Sequence, residues 1–255
     1  MTMTGVTLIT GGASGIGRLH ALRDAAKGAT VAIIDLNDEG LAEVSARHAG
    51  IHAFRCDVTD YVAMENLVGE IERDLGEIDR LFVCAAMMPG GELAATEPEK
   101  INRLMQINYG GTVNVTGIVL SRMLPRAKGD VVIYGSTAGI VPVNRFGAYG
   151  ATKAAVNHYA KVLISENRNS GLRFQLVCPP AVDTPLIAQV IEDGPGFIKN
   201  GRTWISQMME PEAVVASVER ALEVGREINY PGRGKLIELA YRACPGILRW
   251  VSNNT

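Results

Sequence analysis

Short apolar, β-branched runs alternate with longer amphipathic ones through most of this chain, and that alternation restricts its fold more than any other property. Val6-Thr7-Leu8-Ile9-Thr10 reads as a buried strand, followed by a helix over 15–27 that Lys27-Gly28 closes. Residues 30–35 predict the second strand, with Asn37 or Asp38 capping a helix that runs to about His48. A short strand over 51–55, a helix over 60–75 and a strand over 81–86 follow. The spacing then predicts a long helical stretch from about Pro98 to Leu124, a strand over 131–134, a helix over 147–168 and a strand over 173–178. Strands that are apolar on both sides need cover on both faces, so they indicate a parallel sheet between two helical layers. Right-handed crossovers make that a doubly wound α/β architecture, read here as a single domain over residues 1–255.

Composition removes several function classes. Hydrophobic residues make up 47% of the chain and the net charge is −2, so a core is available and the basic footprint of nucleic-acid binding is missing. Cys56, Cys84, Cys178 and Cys244 form no CxxC pair and no metal-ligand spacing, which predicts reduced thiols, buried where they adjoin strands, and no metal site. No apolar run approaches the ~18–20 residues of a membrane span. Strand-like sequence from Val6 leaves no room for a signal peptide. A soluble, cytoplasmic protein is the expectation.

The first strand-to-helix junction is Thr10-Gly11-Gly12-Ala13-Ser14-Gly15-Ile16-Gly17. Glycine lets backbone approach a ligand closely, and the helix N-terminus that follows favours a pyrophosphate. This turn lies between a strand and a helix, the context that makes it a dinucleotide site. Asp35, at the end of the second strand, suits the two hydroxyls of an adenosine ribose and opposes a 2′-phosphate. Leu36 adds no positive charge, and Arg18 is the one nearby cation that complicates a preference for NAD. Beyond Pro179 the pattern breaks, with Gly194-Pro195-Gly196 and Asn200-Gly201 interrupting residues 185–210 before Pro211-Glu212 opens a helix to about Val224. A segment leaving a strand's carboxyl end is well placed to cover a substrate.

With Asp57-Val58, an N-x-x-G element from Asn108, Ser136, Tyr149-x-x-x-Lys153 and Pro179-x-x-Val182-x-Thr184 in that order, the chain resembles the short-chain dehydrogenase/reductase family over nearly its whole length. The resemblance implies a Rossmann-like fold that binds NAD. It assigns Gly11, Ser14, Gly15, Ile16 and Gly17 to the phosphates, Asp35 and Leu36 to the ribose, and Asp57 and Val58 to the adenine. It runs Cys84, Ala85 and Ala86 beneath the cofactor, puts Pro179, Val182 and Thr184 at the nicotinamide, and lets Tyr149 and Lys153 touch the cofactor as well. Two departures stand out: Val83-Cys84-Ala85-Ala86 replaces the usual Asn-Asn-Ala-Gly, and Pro179-Pro180 replaces Pro-Gly.

Alcohol oxidation needs a base for the hydroxyl proton, and ketone reduction an acid. Lys153 shares a helix face with Tyr149, and its ammonium is expected to lower the phenol from its ordinary value of about 10. Ser136 can hold the substrate oxygen beside the phenol. By resemblance, Asn108 links Lys153 through water to solvent. The expected activity is NAD(H)-dependent interconversion of a secondary alcohol and a ketone. The alternatives are an NADPH-dependent 3-oxoacyl-type ketoreductase, which Asp35 opposes, and a catalytically idle dinucleotide-binding protein, which the retained serine, tyrosine and lysine oppose. Met87, Met88, Val141, Val143, Pro180, Ile187, Val190, Phe197, Trp204 and Met208 are candidate pocket residues, so a hydrophobic substrate is expected. The tail from Leu236 to Val251 is read as packing on its own domain or a neighbouring subunit rather than on a membrane. The resemblance implies a homodimer or homotetramer formed through the helices at about 98–124 and 147–168.

Overall fold

A computed structural model describes residues 5–190, 194, 208–244 and 246 of the 255-residue chain. Seven parallel strands form one sheet: β1 Val6–Thr10, β2 Thr30–Asp35, β3 Ile51–Arg55, β4 Ile78–Val83, β5 Gly129–Tyr134, β6 Leu172–Val177 and β7 Ile228–Asn229. Their spatial order is β3-β2-β1-β4-β5-β6-β7, so the winding reverses between β1 and β4 and opens a crevice at their carboxyl ends. The helices are α1 Gly15–Ala26, α2 Asp38–Ser45, α3 Tyr61–Leu75, α4 Pro98–Met105, α5 Gly111–Arg126, α6 Gly147–Glu166, α7 Pro211–Glu223 and α8 Gly234–Ala243.

Alternate strand residues face opposite layers. Leu8, Leu81 and Ile133 pack with Met64, Val68, Val115, Val119 and Val156 from α3, α5 and α6. Ile9, Phe82 and Val132 pack with Ala21, Leu41, Val214 and Val218 from α1, α2 and α7. This is the doubly wound sheet that the pattern predicts. Between Asn37 and Asp38, the cap of α2 is Asn37, whose Oδ1 accepts from Gly40 N at 3.1 Å.

Several boundaries differ from the sequence reading. The fourth strand covers 78–83 rather than 81–86, because its neighbour β1 ends at Thr10, and beyond Cys84 N, which donates to Thr10 O, no ladder remains to join. Asp79 and Arg80 disguise its start. The stretch from Pro98 is helical throughout, but Gln106–Gly110 forms a wide π turn between α4 and α5. Strand β7, two residues long, is too short to leave a period. Of the four free thiols, Cys178 is buried, Cys56 and Cys84 are half-buried and Cys244 is exposed. Among the described residues no helix is long and apolar enough to cross a membrane. Within the tail, α8 buries Glu238 while Leu236 and Leu239 face outward; Val251 lies outside the described residues.

His20 of α1 is fully buried, stacked 3.9 Å from the Phe82 ring and 2.6 Å from Tyr134 Oη. Burial, helped by Arg80, Arg23 and Lys27, lowers its pKa to about 3. An unfolded chain protonates this imidazole below about 6.5, whereas the folded chain keeps it neutral down to about 3. Acid therefore favours unfolding across that window, by up to about 1.4 kcal/mol per pH unit. His20→Gln is expected to flatten the fall in urea stability between those pH values. An unchanged slope in the variant would remove His20 as its source.

Candidate active site

The turn from β1 into α1 has the geometry of a phosphate cradle. Gly11 and Gly15 have φ of +69° and +51°, in the left-handed region, and a Cβ on Gly11 would lie 2.8 Å from Ala85 N. Ser14 precedes α1 in extended conformation and its side chain does not cap the helix, so the N–H groups of Gly15, Ile16 and Gly17 keep the N-terminal field open. Across the turn, a Cβ built on Gly15 would lie 3.5 Å from Thr184 Cβ. Thr184 thus stands over the glycines. These observations fit a bound dinucleotide.

Asp35 is tied to the same turn. Its Oδ2 accepts from Ala13 N at 3.1 Å, and its Oδ1 accepts from Leu36 N at 2.8 Å and Asn37 N at 3.1 Å. Leu36 itself is exposed. Arg18 is paired with Glu43 at 3.3 Å. In the loop after β3, Asp57 accepts from Thr59 N and Oγ1, both at 2.8 Å, and meets Arg103 at 3.3 Å. Burial acts against its charge, but these bonds outweigh it and lower its pKa. Asn114 Nδ2 donates to Val58 O at 3.0 Å and fixes that loop.

Behind the crevice, Cys84 and Ala85 hang from β1 through Thr10 O and Oγ1, and Ala86 is half-buried beside them. Burial pushes the Cys84 thiol far up, so it stays protonated. Pro179 O accepts from Thr137 N at 3.1 Å, and Val182 bridges Met209. The base of the 185–210 segment is thereby held at both ends, with a 3-10 turn over Pro185–Val190. Gln189 Oε1 of that turn accepts from Met88 N at 2.8 Å.

Ser136, Tyr149 and Lys153 come together at the carboxyl ends of β5 and β6, and all three are buried. Ser136 Oγ accepts from Ala138 N at 3.1 Å, which leaves its own proton to donate. The pair of Tyr149 and Lys153 differs from expectation. Lys153 Nζ donates to Tyr134 O at 2.7 Å and lies 5.9 Å from the centroid of the Tyr149 ring. Burial pushes Tyr149 up to about 12, with a hydrogen bond to Ser136 pulling the other way. Burial likewise brings Lys153 down to about 8. Low surrounding polarity, rather than the ammonium, dominates the phenol here.

Asn108 occupies the π turn and is fully buried. Its Nδ2 donates to Met87 O at 2.8 Å and Thr152 Oγ1 at 3.0 Å, while its Oδ1 accepts from Met87 N at 2.8 Å. Its amide is thus a strut between the loop after β4 and α6, while Lys153 Nζ meets Tyr134 O. Tyr149 sits in an apolar cluster with Met88, Leu104, Phe146, Ile187 and Val190, with Val143 and Met208 packed against it. Met87 is exposed, and Phe197 and Trp204 lie outside the described residues. The sequence reading missed Thr152, Gln189 and Asn157. Asn157 was open to discovery, since it lies on the helical face of Tyr149 and Lys153, one turn on.

The family model for short chain dehydrogenases matches residues 5–194. This chain is a short-chain dehydrogenase/reductase. It is 33% identical over 185 residues to 2,3-dihydro-2,3-dihydroxybenzoate dehydrogenase of Bacillus subtilis (strain 168), covering 71% of each chain. A short-chain dehydrogenase/reductase from Burkholderia phymatum solved with NAD superposes with a TM-score of 0.83 at 21% identity, over 97% of this chain and 96% of that one. A single-substitution variant of actinorhodin polyketide ketoreductase, solved with NADPH, gives a TM-score of 0.83 at 27% identity, over 90% of this chain and 97% of its own. The short-chain dehydrogenase/reductase fold is therefore shared by proteins that carry either cofactor. This family member is an oxidoreductase with a nicotinamide dinucleotide site.

Proposed function

We propose that this short-chain dehydrogenase/reductase uses NAD(H) to interconvert a hydrophobic secondary alcohol and its ketone, with Tyr149 as acid and base. The observation that carries this reading is the meeting of a buried phenol, a serine hydroxyl with a free proton and an apolar cluster at one end of the sheet. The substrate oxygen would lie between Tyr149 Oη and Ser136 Oγ, where the serine proton steadies developing charge. Met88, Phe146, Ile187 and Val190 would exclude water and favour an apolar body over a sugar or a charged acid. Lys153 would orient the ribose from the floor provided by Tyr134 O, and Pro185–Val190, the described start of the segment after β6, would border the substrate. A nicotinamide held by this site would supply the hydride acceptor or donor, while Tyr149 and Ser136 handle the proton and the oxygen. Asn108 is proposed to hold Met87 and α6 in register. A homodimer or homotetramer built through α4, α5 and α6, acting in the cytoplasm, completes the reading.

Asp35 and the engagement of Arg18 by Glu43 support NAD over NADP. Asp35→Ala is expected to lower kcat/KM for NAD(H) by about tenfold or more, in line with loss of charge-assisted hydrogen bonds. Its ratio to the value for NADP(H) should fall accordingly. Equal ratios in wild type and variant would refute the ribose assignment. The activity itself is tested by offering a panel of aliphatic, alicyclic and aromatic alcohols and ketones, alongside sugar alcohols and hydroxy acids, with each cofactor and following nicotinamide absorbance. Turnover confined to charged or sugar substrates, or none at all, would overturn it.

A further inference from the structure

Asn157 lies one turn beyond Lys153 on α6 and is buried to 3% exposure. Its Nδ2 donates to Ser136 O at 2.9 Å, and its Oδ1 accepts from Ser136 N at 3.3 Å. One amide thus meets both peptide groups of a single residue, as a neighbouring strand would. The Oδ1 also accepts from Cys178 Sγ at 3.5 Å, which ties in the end of β6. Burial pushes that thiol up to about 12, so it keeps the proton it donates.

The surrounding chain makes room for this clamp. A Cβ on Gly135 would collide with Asn157 Oδ1, and one on Gly139 would lie 2.6 Å from Nδ2. Both glycines flank the serine, so the backbone carrying Ser136 presses directly on the amide. The serine hydroxyl itself reaches forward, accepting from Ala138 N. Tyr149 and Asn157 share one rigid helix, so the amide relates the serine to the tyrosine across two separate elements.

We propose that Asn157 is the positioning residue for Ser136, its side-chain amide setting where the serine hydroxyl meets Tyr149. This rests on the acid/base reading of Ser136 and Tyr149 above. An amide suits that role, because only a side chain with an adjacent donor and acceptor satisfies an N–H and a C=O together. An aspartate would keep the acceptor and turn a carboxylate oxygen toward Ser136 O.

The test uses the full-length protein labelled with ¹³C at tyrosine Cζ, with the Tyr149 resonance assigned by its loss in Tyr149→Phe. Asn157→Ala is expected to move that resonance in the same direction and to the same extent as Ser136→Ala. The double variant should move it no further. In parallel, kcat for the ketone that serves as the wild-type substrate should fall on the order of 10²-fold, with NADH binding unchanged and no further loss when Ser136→Ala is added. A Tyr149 resonance unmoved in folded Asn157→Ala, or additive effects in the double variant, would overturn the proposal. If Asn157→Ala fails to fold by its thermal melt, Asn157→Asp takes its place under the same criteria. If the wild-type protein turns over nothing, the acid/base reading falls, while the resonance still decides whether the amide sets the contact between serine and tyrosine.

Discussion

Tyr149→Phe is expected to lower kcat by about 10²–10⁴-fold, the usual contribution of a positioned acid or base. NADH binding, read by fluorescence titration, should stay largely intact. The substitution removes one oxygen and leaves the ring among Met88, Leu104 and Phe146, whose ring centroid lies 5.6 Å away. Packing is thereby preserved, and the lost group is the one that exchanges the proton. The direction of the Tyr149 shift adds a pH signature. With its pKa pushed up to about 12 by burial, the phenol is protonated at neutral pH. It is ready to donate to a ketone, whereas alcohol oxidation must first draw the proton off. Oxidation is therefore expected to accelerate as pH rises from 7 to 10, and reduction is not. A variant with near wild-type turnover would remove Tyr149 from the reaction.

Arg80→Met is expected to destabilise the fold by about 3–5 kcal/mol at pH 7, since removing one partner strands the other charges in the interior. Arg80 Nη1 lies 3.2 Å from Asp24 and Nη2 lies 2.9 Å from Asp130, with Glu219 at 3.5 Å. Arg173 also reaches Asp130 at 2.6 Å, whereas Asp24, fully buried beside Thr7 Oγ1, has its other cation, Lys27, only at 3.9 Å. Burial already holds the Asp24 carboxyl above its ordinary value despite Arg80. In the variant it takes up a proton more readily, so the deficit relative to wild type should shrink as pH falls from 7 to 5. Urea midpoints at the two pH values measure this. A loss below about 1 kcal/mol, the scale of exposed ion pairs, would show that the network adds little.

How legible all this is in the sequence depends on what sort of signal each part leaves. The parallel sheet was readable because buried strands such as Thr30–Asp35 and Gly129–Tyr134 carry apolar runs rich in β-branched residues. The glycine turn was readable because its conformation excludes most side chains. Strand β7 was not, since two residues carry no period. The relation between Tyr149 and Lys153 was readable as spacing but not as electrostatics: sharing a helix face says nothing of how dry that face is. Asn157 escaped because its work is done against backbone groups of Ser136, and no motif records a peptide bond. The ion network about Arg80 joins α1, β4, β5 and β6, elements that only the folded sheet order brings side by side.

The π turn at Gln106–Gly110 carries a consequence for how such a chain can change over time. Such a turn holds one residue more than the helix around it needs. Deleting that residue would restore a regular helix and leave the turns on either side nearly in phase. Leu104 would keep its place in the Tyr149 cluster, and the cost would fall on Asn108 and its hold on Met87. The loop from Met88 to Glu97 is itself pinned midway, by Gly91 N donating to Arg145 O at 2.8 Å and by Glu92 pairing with Arg145 at 3.1 Å. A single-residue change of length in this helix thus has one place to go, and its price is the strut between the loop and α6 rather than the frame of the sheet.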